Sequence, residues 1–189
     1  MKIGLYFGSF NPIHNGHLII ATHILQNTAL DQIWFVVSPQ NPFKQSGSLL
    51  NEYHRLHLVQ QAIEGETKLK ASDIEFSLPR PSYTIDTLTY LEEKYPENNF
   101  SVIMGSDSYQ NIGKWKSGDL LQKKYPILVY KRPGFSIDED AAKKATILHA
   151  PMLDISSTII RKLIASGHSI RYLVPESVNE EIMKSGYYK

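Results

Sequence analysis

Short apolar runs alternate along the chain with segments in which apolar residues recur every three or four positions. Residues 2–7 (KIGLYF) form a dense β-favouring run closed by Gly8-Ser9, the pattern of a strand buried on both faces. Residues 17–28 carry Leu18, Ala21 and Leu25 at helical spacing, and residues 31–37 (DQIWFVV) return to a compact strand pattern. Together they predict a βαβ unit. The segment 38–50, rich in Pro, Gly, Ser, Asn and Gln, reads as a loop, and Asn51 as the cap of a helix over 51–63. Further strands are expected at 69–76, 100–104, 126–130 and 147–150. Helices are expected from a cap at Ser82 or Thr84 to Leu91, at 108–112, at 138–144 and at 156–165, with a turn at RPGFS between them. The last helix ends at Ser166-Gly167, where glycine suits the position just past a helix end. Repeated βα alternation predicts an α/β fold, a Rossmann-like open, mostly parallel twisted sheet with helices on both faces and a small C-terminal helical segment at about 156–189.

With 189 residues and domains of about 150, one domain spanning 1–189 is expected. An apolar fraction of 42% suffices for a single core. Twenty Lys and Arg against 19 Asp and Glu leave a net charge of +1, which gives no long-range field for nucleic acid or an anionic membrane. Any polyanion must therefore be held by a local site. The absence of cysteine excludes a disulfide framework, a thiolate metal site and a cysteine nucleophile. The apolar run that opens the chain is too short for a signal peptide, and no window reaches 18 apolar residues, so a cytoplasmic protein is expected. Surface apolar residues alone do not distinguish a homo-oligomer from a monomer.

The chemistry concentrates in two places. After the first strand comes Gly8-Ser9-Phe10-Asn11-Pro12-Ile13-His14-Asn15-Gly16-His17, leading directly into a helix. In an α/β sheet, ligands bind outside the carboxyl end of a strand beside a helix N-terminus. Gly8 and Ser9 could bring backbone N–H groups close to a phosphate, with Gly8 free to take a positive φ. His14 and His17 could converge on one point, where a triphosphate would favour their charged forms and two imidazolium donors would stabilise a transferring phosphoryl group. A second His-x-x-His, His54 and His57, sits on an expected helix with no third ligand in sight and reads as solvated or core-edge packing. The other place is Ile155-Ser156-Ser157-Thr158-Ile159-Ile160-Arg161. Ser156 or Ser157 can cap the helix while Arg161 reaches back past its start, which makes an anion site. Many helices open on serine or threonine, so this segment gains weight only beside the first loop.

At these residues the chain resembles the nucleotidyltransferase superfamily, with its His-x-Gly-His loop and distal Ile-Ser-Ser-Thr-x-x-Arg signature. Within it, the chain most resembles the bacterial nicotinate-nucleotide adenylyltransferases. Pro81-Ser82-Tyr83-Thr84-Ile85-Asp86-Thr87-Leu88, Gly105-Ser106-Asp107-Ser108 followed by Trp115, Lys131-Arg132-Pro133-Gly134 and Leu173-Val174-Pro175-Glu176-Ser177-Val178 support the narrower match. The resemblance implies an ATP-binding enzyme that makes nicotinate adenine dinucleotide and pyrophosphate from ATP and nicotinate mononucleotide, with Mg²⁺. It implies catalytic roles for His17 at the α-phosphate, His14 at the outer phosphates, Lys44 from the loop after the second strand, and Arg161 with Ser157 and Thr158 at the leaving pyrophosphate. Gly8, Ser9, Phe10, Gly16, Gly105, Asp107, Ile155 and Ser156 would complete the ATP site, with Asp107 on a ribose or the metal. Tyr83, Thr84 and Trp115 would hold the pyridine. Two residues depart from the family pattern: Phe43 precedes Lys44 where His is common, and Lys116 follows Trp115 where an aromatic is common. Lys116 is expected to attract the nicotinate carboxylate. Phosphopantetheine adenylyltransferase shares both phosphate signatures but lacks the Pro-Ser-Tyr-Thr and Gly-x-Asp-Ser segments. A non-catalytic nucleotide sensor would be expected to have lost His14, His17 or Arg161, and all three are present.

Overall fold

Strand β1 (Lys2–Gly8) lies inside the sheet because both of its edges are taken. It pairs in parallel with β2 (Gln32–Val37) and with β4 (Asn99–Gly105), Leu5 standing opposite Trp34 and Val102. The computed structural model describes residues 1–39, 49–132, 134–137, 143–151 and 153–189. Adding β3 (Leu69–Ser72), β5 (Ile127–Tyr130) and β6 (Thr146–Leu148) gives a six-stranded sheet in the order β3-β2-β1-β4-β5-β6, with every pairing parallel. This is the doubly wound order, whose direction reverses between β1 and β4. The carboxyl ends of those two strands, Gly8 and Gly105, therefore flank the crevice where such sheets bind ligands.

Period-2 alternation feeds two cores. On one face Tyr6, Phe35 and Ile103 pack with Ile20, Leu58, Ile160 and Ile182, which come from α1 (Asn15–Asn27), α2 (Glu52–Ala62), α6 (Ser157–Ala165) and α7 (Glu176–Ser185). On the other, Ile3, Leu5, Val36 and Val102 pack with Leu88, Leu91 and Leu121, from α3 (Thr84–Lys94) and α5 (Gly118–Lys124). Each fully buried Leu or Ile contributes about 1.5–3 kcal/mol. Helices on both faces, as expected from the alternation, follow from this division.

The structure departs from the sequence reading in four places. The strand expected over 69–76 stops at Ser72, and Ile74–Ser77 form a 3₁₀ turn; Ile74 enters one core while Phe76 packs against the other. Helix α3 is capped by Tyr83, not Ser82 or Thr84, because the Ser82 hydroxyl is committed to Glu75. The short helix expected at 108–112 divides into α4 (Ser106–Tyr109) and a 3₁₀ turn at Ile112–Lys114. Helix α5 was not expected: its short, Lys-rich repeat carries one inward Leu121, too weak a period to read. Residues 138–142 of the expected charged helix lie outside the described residues. Helix α6 finishes as foreseen, with Gly167 at φ +71° and N–H bonds from Gly167 to Ile164 O and from His168 to Leu163 O. Among the described residues no helix is long and apolar enough to cross a membrane.

Candidate active site

Helix α1 begins at Asn15 with His14 as its N-cap in extended backbone. That start puts His14 and His17 one turn apart, and their rings stack at 3.7 Å between centroids, 25° from parallel. His17 Nδ1 accepts the His14 backbone N–H at 3.3 Å, so a neutral His17 carries its proton on Nε2. His14 Nδ1 is buried with no hydrogen-bond partner among the described residues and faces Gly16, where a Cβ would come to 3.0 Å from it. The glycine of His-x-Gly-His is thus a space requirement of the His14 ring. Nε2 is left as the edge that His14 offers to a ligand.

The left-handed residue of the loop is Phe10 (φ +43°), not Gly8. Gly8 serves by lacking a Cβ, which would strike the Phe10 ring at 2.8 Å. A bulky residue with positive φ costs about 1–3 kcal/mol and persists only where its surroundings impose it. Phe10 is 2% exposed and packs edge-on against Tyr6, Phe35 and His17.

Helix α6 brings the second signature to the same place. Ser156 caps it by accepting the Ile159 N–H, while the next hydroxyl, Ser157, donates to Pro12 O at 2.9 Å. Arg161 Nη1 donates to Asn11 O at 2.7 Å and Nη2 reaches Thr158 Oγ1 at 3.4 Å. Residues about 145 positions apart are therefore bonded directly. The C-terminal segment adds to the tie, since Tyr188 donates to Asn11 Oδ1 at 2.9 Å and Asn15 N–H donates to Leu173 O.

Between these elements lies a cleft of about 680 Å³ lined by Gly8, Ser9, Phe10, His14, His17, Asp107, Ser156, Ser157, Thr158 and Arg161. A smaller cavity of about 150 Å³, lined by Tyr83, Thr84, Gly105, Trp115 and Lys116, shares Tyr6, Gly8, Trp115 and Tyr130 with it. The two form neighbouring compartments over the sheet's switch point. Gly16 and Ile155 pack behind the cleft and do not line it. Lys44 lies outside the described residues. His54 and His57 are exposed, bonded to Tyr187 and Gln61, and take no part.

Several cleft residues escaped the sequence reading. Arg132 pairs with Asp107 at 3.0 Å, and Lys114 Nζ donates to Asn111 Oδ1 at 3.0 Å; all four line the larger cleft. Tyr6 and Tyr130 share a buried hydroxyl bond of 3.2 Å between the compartments. Glu75, 2% exposed, accepts the Ser82 and Thr87 hydroxyls at 2.8 and 2.9 Å beneath the start of α3, and burial raises its pKa. The signal for Arg132 was its place in Lys131-Arg132-Pro133-Gly134; nothing marked Lys114, or Glu75, whose partners Ser82 and Thr87 lie just before and within α3. Lys116 does line the smaller cavity, but its ammonium is shared with Asp86 at 2.7 Å and lies 4.8 Å from the centre of the Tyr83 ring.

Burial sets the charge of His14 in the free protein. Burial, with the Arg132 guanidinium adding to it, lowers His14 from 6.5 to about 4, so at neutral pH this imidazole is uncharged before any anion arrives. The unfolded chain binds this proton between about pH 6.5 and 4 and the folded chain does not, so folding stability falls as pH drops through that window. The loss attributable to His14 is about 3 kcal/mol. Urea unfolding of the parent and of His14→Gln across pH 4–7 should show the slope flattened in the variant; equal slopes would contradict the assignment.

The family model for cytidylyltransferase-like proteins matches residues 5–163. A "Probable nicotinate-nucleotide adenylyltransferase" of Cytophaga hutchinsonii is 50% identical over 191 residues, covering 100% of this chain and 98% of that protein. The chain belongs to this adenylyltransferase family. A second member so described, from Flavobacterium psychrophilum, is 48% identical over the full length of both. Among solved structures, Plasmodium falciparum nicotinic acid mononucleotide adenylyltransferase, complexed with NaAD, superposes with a TM-score of 0.85 at 26% identity, covering 99% of this chain and 97% of that one.

Proposed function

We propose that this protein transfers the adenylyl group of ATP to nicotinate mononucleotide, giving nicotinate adenine dinucleotide and pyrophosphate, a step of NAD biosynthesis. The observation that carries the reading is the bonding of Arg161 and Ser157 to the Asn11-Pro12 backbone, which joins both phosphate signatures in one cleft. The solved relative complexed with NaAD supports the product. Residues 1–189 act as one nucleotidyltransferase unit on this reading, and the ties between α6, the C-terminal segment and the first loop support it. A cytoplasmic location is part of this proposal.

A phosphate oxygen of the mononucleotide attacks the α-phosphorus of ATP in line. The new P–O bond forms as the bond to the α,β-bridging oxygen breaks, and pyrophosphate leaves with the electron pair. No protein nucleophile is needed, so catalysis consists of positioning and charge stabilisation. His17 donates from Nε2 to the α-phosphoryl oxygens. His14, Ser157, Thr158 and Arg161 hold the outer phosphates and the leaving group, with Lys44 approaching from the loop after β2. Asp107 and Arg132 flank the ribose. The nicotinate carboxylate meets the free N–H groups at the start of α3, by Tyr83 and Thr84, where the helix dipole favours an anion, and the ring stacks on Trp115.

Among the described residues no three His, Asp or Glu side chains cluster to cage a metal, and the one carboxylate of the larger cleft, Asp107, is paired with Arg132. This donor set fits Mg²⁺ that arrives on the triphosphate, where it keeps waters and few protein ligands, with Asp107 as the carboxylate able to reach it. Bound there, Mg²⁺ would neutralise charge on the phosphate oxygens.

Lys116→Ala tests the pyridine side. Because Asp86 shares the ammonium and both groups are about half exposed, removing it should raise the Michaelis constant for nicotinate mononucleotide only about two- to fivefold, the scale of exposed charge pairs. An unchanged constant and an unchanged preference over the amide substrate would remove Lys116 from recognition.

A further inference from the structure

Arg55, on α2, is wholly buried, with 0% of its surface exposed. No carboxylate is bonded to it among the described residues, and Glu52, three positions earlier, is committed to Arg80 at 2.7 Å. Its guanidinium instead donates to four backbone carbonyls. Nε reaches Leu50 O at 2.7 Å, Nη1 reaches Ser9 O at 2.6 Å and Ser38 O at 2.8 Å, and Nη2 reaches Pro39 O at 3.1 Å. These carbonyls belong to the loop after β1, the loop after β2 and the residue before the α2 cap. This buried cation is bonded to carbonyl dipoles, while the Glu52 carboxylate acts on it through space without a direct bond.

The bond to Ser9 O bears on the phosphate site. Ser9 C=O and Phe10 N–H are the two ends of one peptide group, and that group is not among the cis bonds of the chain. In a trans peptide the two point in opposite directions. With the carbonyl turned to Arg55, the Phe10 N–H is turned away from it, and Gly8, Ser9 and Phe10 line the cleft. Phe10 follows this peptide at φ +43°, a conformation that a non-glycine residue does not hold unaided. A charged donor on the carbonyl also polarises the peptide, which strengthens its N–H as a donor to an anion.

We infer that Arg55 is a positioning residue for the ATP triphosphate, acting through the Ser9–Phe10 peptide: it turns the Phe10 N–H toward the cleft and strengthens it. The inference deepens the adenylyltransferase reading and rests on the cleft being the triphosphate site. Lysine at this position keeps the charge but cannot span four carbonyls in a plane, so the test compares Arg55→Lys with Arg55→Gln. Thermal melting establishes that each is folded, and calorimetric titration then measures binding of inorganic tripolyphosphate and of nicotinate mononucleotide. The expected result for Arg55→Lys is tripolyphosphate binding weakened at least tenfold and a matching rise in the Michaelis constant for ATP. Arg55→Gln should be worse, and the mononucleotide constant should stay within twofold of the parent in both. A folded Arg55→Lys that binds tripolyphosphate as the parent does, or a variant that loses both ligands equally, would overturn the inference.

Should neither variant fold, the parent protein supplies the decision by amide NMR. The Phe10 N–H resonance should move downfield on adding tripolyphosphate, and a Phe10 amide that stays still while other cleft amides move would overturn it. A parent that binds no tripolyphosphate at all would overturn the triphosphate reading of the cleft, and the Arg55 inference with it.

Discussion

Alanine in place of His17 lowers turnover about a thousandfold while the protein remains folded, the loss expected when one preorganised donor to a transition-state oxyanion is removed. The residue is only partly buried, so truncation opens no deep cavity. The backbone N–H of His14 loses its Nδ1 acceptor, a cost of about 1 kcal/mol to the helix start. The Michaelis constants should move far less than turnover, because an interaction made mainly in the transition state affects kcat. Steady-state kinetics beside a thermal melt distinguishes the cases. Turnover within tenfold of the parent would take His17 out of the chemistry.

Arg161→Ala carries the second large effect, for two reasons that add. The variant loses a cation at the triphosphate, and it releases the Asn11 carbonyl that Arg161 holds at 2.7 Å, loosening α6 from the first loop. We expect kcat/KM for ATP to fall about a hundredfold or more, charge-assisted bonds contributing about 1.5–3 kcal/mol each. Arg161→Lys should recover only part of this, since an ammonium cannot serve carbonyl and phosphate together in the geometry of a planar fork. A variant with alanine that stays within threefold of the parent would show that the two signatures touch without cooperating.

What could be read from the residues, and what could not, follows from the range of the interactions involved. β1, α1 and β2 were legible because each repeats one periodicity and is bounded by a local breaker, as Gly8-Ser9 closes β1. The helix from Ser156 to Gly167 was legible for the same reason, since its cap and its terminating glycine act within a few residues. Helix α3 shows the limit: Ser82 is a good cap by type, yet Glu75 captures its hydroxyl and Tyr83 takes the position. The strained Phe10 is invisible in sequence because a glycine two residues earlier offered the cheaper positive φ, and the buried Arg55 is invisible because nothing in a helix of mixed polarity shows that four carbonyls will surround it. In the site, spacing located His14, His17 and Arg161. The neutral state of His14 depends on burial and on Arg132, which arrives from beyond β5, and no local pattern reports that.

The central claim is the pairing of ATP with nicotinate mononucleotide. Pyrophosphate release should be followed with the purified enzyme, ATP and Mg²⁺, with nicotinate mononucleotide, nicotinamide mononucleotide and phosphopantetheine supplied in parallel. The account predicts the highest kcat/KM with nicotinate mononucleotide and formation of nicotinate adenine dinucleotide in step with pyrophosphate. No turnover with that substrate, alongside turnover with either of the others, would contradict it.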